Sequence, residues 1–191
     1  MHATICDILS DLVQNSVEAG ASRVELDVCT GTETISARVT DNGKGMDEAT
    51  LAQAKEPFYS EAGKHDRRRV GLGIPFLYQT AEAVNGTADI RSAPGKGTTV
   101  RFTLDARHMD TPPFGDLAET VMGLMTLRDD YDLIVSHRTA SDGYTFSKRE
   151  LTAALGNLEE AGNLVLARRY IRSQEQSLTD AQPRDGRNGT S

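Results

Sequence analysis

Apolar positions between residues 4 and 19 recur with the period of an α-helix. Ile5, Ile8, Leu9, Leu12, Val13 and Ser16 share one arc, which predicts an amphipathic helix. Asp7, Asp11 and Asn15 form a polar line beside it, each one turn from the next. Gly20 suits the helix end. The period then changes to two. Val24, Leu26 and Val28 alternate with polar and charged residues, Thr30-Gly31-Thr32 turns the chain, and Ile35, Ala37 and Val39 alternate again. Two strands with one buried face are expected. Asp41-Asn42-Gly43-Lys44-Gly45 interrupts the pattern, and Asp47 is placed to cap a short helix ending near Ala54. Residues 55–71 show no periodicity and are expected to form a mobile loop.

Ile74, Leu77, Ala81 and Val84 mark a further helix, with Pro75 in its first turn and Asn85-Gly86 at its end. Ile90 belongs to a third strand, Pro94-Gly95-Lys96-Gly97 is a turn, and Val100, Phe102 and Leu104 alternate along a fourth strand. His108 to Pro113 reads as a linker. Beyond it come an apolar helix (Leu117, Val121, Leu124, Met125), strands around Leu133–Val135 and Tyr144–Phe146, and a last helical stretch. That stretch opens with the S-x-x-E capping box of Ser147 and Glu150. Thr179 to Ser191 holds no large apolar residue and reads as a frayed tail. The expected division is a core domain over residues 1–107, an extension over 108–176 that packs on it or forms a dimer or partner surface, and a flexible tail over 177–191.

Composition narrows the class. The 191 residues carry 28 Asp and Glu against 21 Lys and Arg, and 38% are hydrophobic, values of an ordinary globular protein. The acidic balance argues against a nucleic-acid coat protein or a polybasic membrane anchor. No apolar run reaches the length of a membrane span, and the first residues lack the pattern of a signal peptide. Cys6 and Cys29, without ligand-like spacing, fit a reducing cytoplasm.

Candidate chemistry lies in four short segments. Asp11 and Asn15 stand one helical turn apart; a carboxylate can take a proton from an attacking water, and an amide oxygen suits a hard cation such as magnesium. Asp41 follows a strand directly and can accept a hydrogen bond from an exocyclic amine, while Gly43 and Gly45 let a flat ring approach the backbone. Gly71-Leu72-Gly73 opens a helix whose N-terminal N–H groups can receive phosphate. Thr98 sits at a hairpin turn. Lys64, Arg67, Arg68 and Arg69 form a basic cluster in the aperiodic loop, open to readings as phosphate contacts, a solvated charge run or a contact for an acidic partner.

In this order the segments resemble the N box and successive glycine boxes of the GHKL ATPases, the superfamily of gyrase, heat-shock chaperone, histidine-kinase and MutL-type proteins. Asp11-Leu12-Val13-Gln14-Asn15-Ser16 with Ala19-Gly20-Ala21 is similar to the MutL-type N box. Glu56-Pro57-Phe58-Tyr59-Ser60, Gly71-Leu72-Gly73 and Ser92-Ala93-Pro94-Gly95-Lys96-Gly97-Thr98 resemble a histidine-kinase catalytic domain. The resemblance covers about residues 5–104 and implies the Bergerat fold: an α/β two-layer sandwich with a mixed, largely antiparallel sheet and helices on one face. A small α+β C-terminal extension follows.

At matched positions the resemblance implies ATP and Mg2+ as ligands. Asn15 would hold magnesium, Asp41 the adenine amine, and Gly43, Gly45 and Met46 the base. Gly71, Leu72 and Gly73 would meet the phosphates, residues 60–70 would form an ATP lid carrying the four cations, and Thr98 would support the adenine site. Asp11 stands where hydrolysing branches usually carry glutamate. No phosphoacceptor hairpin is expected ahead of the N box, and His2, His65, His108 and His137 read as surface residues, so a phosphoacceptor would lie on another chain. Lys148 is a candidate for a γ-phosphate contact. The readings carried forward are an ATPase or kinase of the histidine-kinase type in cytoplasmic signal transduction, a non-catalytic nucleotide-responsive module regulating a partner, and a DNA-repair ATPase, against which the acidic balance weighs. A homodimer is possible on any of them.

Overall fold

The structure, a computed structural model, describes residues 4–55, 73–128 and 130–180. Helix α1 (Ile5–Glu18) starts at a reciprocal cap. The Thr4 hydroxyl accepts the Asp7 N–H at 3.1 Å, and the Asp7 carboxylate accepts the Thr4 N–H at 2.9 Å. Its apolar arc is buried throughout, and Gly20, at φ +77°, turns the chain out of the helix. Strands β1 (Arg23–Thr30) and β2 (Thr34–Asp41) pair antiparallel, and α2 (Glu48–Lys55) follows with Asp47 Oδ1 accepting the Thr50 N–H. After the undescribed segment come α3 (Gly73–Ala83), β3 (Thr87–Ala93) and β4 (Gly97–Asp105).

The chain continues through α4 (Leu117–Met125), β5 (Asp132–Arg138), β6 (Gly143–Ser147), α5 (Lys148–Leu155) and α6 (Ala161–Asp180). All six strands form one sheet in the order β3-β4-β2-β1-β5-β6, antiparallel except where β5 runs parallel to β1. The register puts Val135, Leu26, Val39, Val100 and Ile90 side by side on one face, with α1, α3 and α4 against it. This is the expected two-layer sandwich. The strands expected within residues 108–176 extend the core sheet itself, and buried residues from Ile5 to Leu178 share one hydrophobic core.

Three features of the C-terminal part differ from the pattern-based reading. The last helical stretch is two helices, because Gly156 at φ +93° breaks it after the Ser147–Glu150 capping box has opened α5. Helix α6 runs to Asp180, four residues into the expected tail. Ala167, Ile171 and Leu178 maintain its buried stripe at helical spacing. Residues 181–191 lie outside the described residues.

His137, expected at the surface, is only 4% exposed. It shares the inward face of β5 with Leu133 and Val135, as strand alternation requires. Nε2 bonds the Thr30 hydroxyl at 2.9 Å, and Nδ1 meets Glu175 Oε1 of α6 at 2.8 Å. The Tyr144 hydroxyl also donates to Glu175, and Phe114 stacks on the imidazole at 5.7 Å. Burial, reinforced by the nearby Glu175 carboxylate, raises the Tyr144 pKa and keeps its hydroxyl a neutral donor. Cys6 is buried, with its thiol pKa pushed up to about 12 by desolvation, whereas Cys29 is exposed on β1.

Since β1 pairs on both sides and α1 packs on α4, a 1–107 fragment would bare one ladder edge of β1 and the part of α1 that α4 covers. Such a fragment is expected to lose cooperative urea unfolding and to bind a hydrophobic dye, whereas residues 1–180 unfold in one transition.

Candidate functional site

Asp41 is the last residue of β2, and strand alternation aims it, like Ala37 and Val39, toward the helical layer. Asp41 is 8% exposed, and its carboxylate is held from three segments. Oδ2 accepts the Ser16 hydroxyl of α1 at 2.9 Å, and Oδ1 accepts the N–H of Gly43 at 2.8 Å and of Thr98 at 3.2 Å. An ionised carboxylate offers about four acceptor positions, so about one is left for an incoming donor.

The loop after Asp41 is pinned at both ends. Asn42 Oδ1 accepts the N–H groups of Ser22 and Arg23, each at 3.0 Å, and the Lys44 N–H donates to the Ala19 carbonyl at 3.0 Å. On the other side the Gly95 N–H donates to the Lys44 carbonyl at 2.7 Å, and the Met46 N–H donates to Ser92 Oγ at 2.8 Å. Ser92 gives its own proton to the Gly97 carbonyl and lies 3.0 Å from the Thr98 hydroxyl. Two glycines permit this approach of backbones. Gly45 (φ +66°) has no room for a Cβ, which would lie 2.0 Å from the Ala93 carbonyl oxygen. At Gly97 (φ +76°) a Cβ would lie 1.9 Å from the Asp41 carbonyl oxygen.

Asp11 and Asn15 lie along α1 on its partly exposed side, one turn apart, while Ser16 turns inward. Gly73, the first residue of α3, packs on α1 closely enough that a Cβ would meet the Asp11 Cβ at 2.9 Å. The N-terminus of α3 therefore stands beside Asp11. The structure thus brings together Asp41, Gly43 and Thr98, links Gly45 and Met46 to them through the β3–β4 turn, and seats Asp11 on Gly73. Gly71, Leu72, Lys64, Arg67, Arg68, Arg69 and most of the aperiodic loop lie outside the described residues.

Two residues quoted in the motifs, without a role of their own, belong to this site. Ser16 falls in the apolar arc, yet a polar side chain on a core-facing arc requires a buried partner, and that partner is Asp41. Ser92 lies between the apolar positions of β3 and ties the glycine loop to the β3–β4 turn. Lys148 takes another role: its ammonium donates to the Arg128 carbonyl and lies 4.9 Å over the Tyr131 ring. Among the described residues no group of three or more His, Cys, Asp or Glu could hold a metal ion. No helix among them is long and apolar enough to cross a membrane.

The fold has solved counterparts. The crystal structure of the N-terminal domain of a DNA repair protein superposes with a TM-score of 0.56 at 16% identity, covering 85% of this chain and 59% of that one. That coverage reaches well into the C-terminal strands and helices. Residues 2–108 match the family described as Histidine kinase-, DNA gyrase B-, and HSP90-like ATPase, and the chain belongs to that family. Among curated relatives, the sensor histidine kinase YxdK of Bacillus subtilis is 32% identical over 99 residues, covering 50% of this chain and 30% of that protein. The Non-motile and phage-resistance protein of Caulobacter vibrioides is 30% identical over 110 residues, covering 56% of this chain and 13% of that protein. The chain therefore spans less than a third of the length of either relative. It carries an ATPase domain of the histidine-kinase type.

Gly97→Ala is expected to lower the unfolding free energy by roughly 2–4 kcal/mol, from a left-handed backbone and a clash with β2. Gly95→Ala, with no atom within 4 Å of its Cβ, should cost less, and urea titration of the two variants checks the difference.

Proposed function

We propose that this chain binds Mg-ATP between α1, α3 and the glycine loop and transfers the γ-phosphoryl group to an acceptor on another chain, with slow hydrolysis in its absence. The observation that carries this reading is the Asp41 carboxylate, buried, hydrogen-bonded from α1, the loop and β4, and left with about one acceptor position for the adenine amine. Gly43, Gly45 and Met46 line the base, and Thr98 supports the aspartate. The N-terminus of α3, from Gly73, with Gly71 and Leu72 before it, receives the phosphates. Lys64, Arg67, Arg68 and Arg69 are the lid cations of this reading.

Asn15 is the residue that would hold magnesium. Its amide oxygen is a hard neutral donor, and an ion bound mainly by phosphates and water needs no carboxylate cluster. When bound, magnesium neutralises and orients the phosphates. Asp11, one turn earlier, takes the proton of an attacking water. Its side chain is one methylene shorter than glutamate, which favours slow hydrolysis over a fast ATPase cycle. His137 is unsuited to act as an acceptor, because both ring nitrogens are already engaged in the core. The names of the sensor-kinase relatives fit a place in signal transduction. A second reading, a nucleotide-responsive module that acts on a partner without turnover, is favoured by the short carboxylate at position 11.

Removing a hydrogen bond made by an ionised group costs about 1.5–3 kcal/mol, so Asp41→Asn is expected to weaken ATP binding about 10- to 100-fold in calorimetry. Asp11→Asn should retain binding but lower release of labelled phosphate about 100-fold. ATP affinity unchanged in Asp41→Asn overturns the site. Binding without phosphate release, and without labelling of any protein in lysate of the source cell, decides for the non-catalytic module.

A further inference from the structure

The sheet face turned away from the helices carries a separate pattern. Ser136, Asp27, Arg38, Arg101 and Asp89 stand in one row across β5, β1, β2, β4 and β3. The adjacent row is Arg138, Cys29, Ser36, Thr103 and Thr87. Arg38, Arg101 and Arg138 border a shallow depression of about 360 Å³ whose floor includes the small side chains Cys29, Ser36 and Thr103.

Charge in this depression is unbalanced. Among the described residues Asp27 is the one carboxylate lining it. Arg38 binds Asp27 at 2.6 Å, Arg138 reaches the same carboxylate at 3.8 Å, and Arg101 makes no ion pair among the described residues. Arg23 with Glu25 and Arg91 with Asp89 are paired elsewhere on the face. Three guanidinium groups thus share one carboxylate on a chain whose formal charge is −7. Arg38 and Arg101 are also direct cross-strand neighbours, a like-charge pair flanked in the same row by Asp27 on β1 and Asp89 on β3.

We propose that this open face docks an acidic segment of a partner protein, with Arg38, Arg101 and Arg138 receiving its carboxylates. The three arginines rise from β2, β4 and β5, which span three interstrand gaps, roughly 14 Å. That is too wide for one phosphate or carboxylate and suits two or three carboxylates on a short segment. The acidic field of the whole chain opposes a polyanion as dense as duplex DNA, whereas a short segment experiences mainly the local imbalance. Ser36 and Thr103 add hydroxyl donors between the guanidinium groups. The surface faces away from the helical layer that holds Asp41, so it does not depend on the nucleotide reading.

The test uses the full chain and fluorescence anisotropy with a labelled short peptide alternating Glu and Ser. Saturable binding is expected, weakening as salt rises. A matched Gln–Ser peptide should bind at least about tenfold more weakly, and Arg101→Glu with Arg138→Glu should cut the affinity for the Glu peptide at least about tenfold. If that double variant fails to fold, Arg101→Gln, which breaks no ion pair, should still lose about threefold. Any of four results overturns the proposal: no saturable binding of the Glu peptide, equal binding by the charge-altered variant that folds, displacement of the peptide by millimolar inorganic phosphate, or tighter binding of a labelled DNA duplex that the same substitutions abolish.

Discussion

The Asp41 carboxylate imposes the condition that the rest of the site satisfies. A carboxylate at the end of a strand and under a helix costs several kcal/mol unless donors replace its water. Here the donors come from α1, from the loop after β2 and from the start of β4, so three segments distant in sequence must meet at one side chain. That meeting dictates the backbone geometry. Gly97 must pass within van der Waals contact of the Asp41 backbone, and Gly45 must pass equally close to Ala93, which leaves no space for any side chain at either position. Ser92 then joins the two turns through the Met46 N–H and the Gly97 carbonyl.

Strand β1 gives this arrangement its support. It pairs antiparallel with β2, which ends in Asp41, and parallel with β5, which comes from beyond the family-matched region. The C-terminal elements complete the sheet and cover the other side of α1 through α4. A polar cluster closes this half: Glu175 of α6 reaches across to His137 and Tyr144, and His137 in turn reaches Thr30 at the end of β1. Buried polar groups joined in this way fix the position of α6 more tightly than an apolar contact of similar area, since each unmet partner would carry a desolvation cost.

The sheet divides the molecule into two chemical environments. On the helical side the strands present Val, Leu, Ile and Phe, with the Asp41 carboxylate at the rim. On the open side the same strands present Thr, Ser, Asp and Arg, with an excess of guanidinium at the centre. A period-2 pattern keeps the two faces separate, so substitutions on one leave the packing of the other largely untouched.

Alternation and helical period are local properties of the chain, and they were legible: α1, the strands of the sheet, α3 and the Ser147 capping box all follow from side-chain spacing. Asp41, Gly43, Gly45 and Thr98 were legible as a candidate site because turn chemistry and segment order single them out. Other features depended on pairing across the fold. Ser16 reads as one more small residue in an apolar arc until β2 brings Asp41 beneath it. His137 reads as a surface histidine until Glu175, 38 residues later, arrives on α6. The union of the C-terminal strands with the core sheet was likewise invisible in one dimension, because hydrogen bonds between strands carry no residue-specific signal. Sequence by itself determined the elements, their inward faces and the order of the nucleotide boxes. Only the tertiary structure decided which polar groups meet, since a buried donor and acceptor choose each other by distance in space and not by distance along the chain.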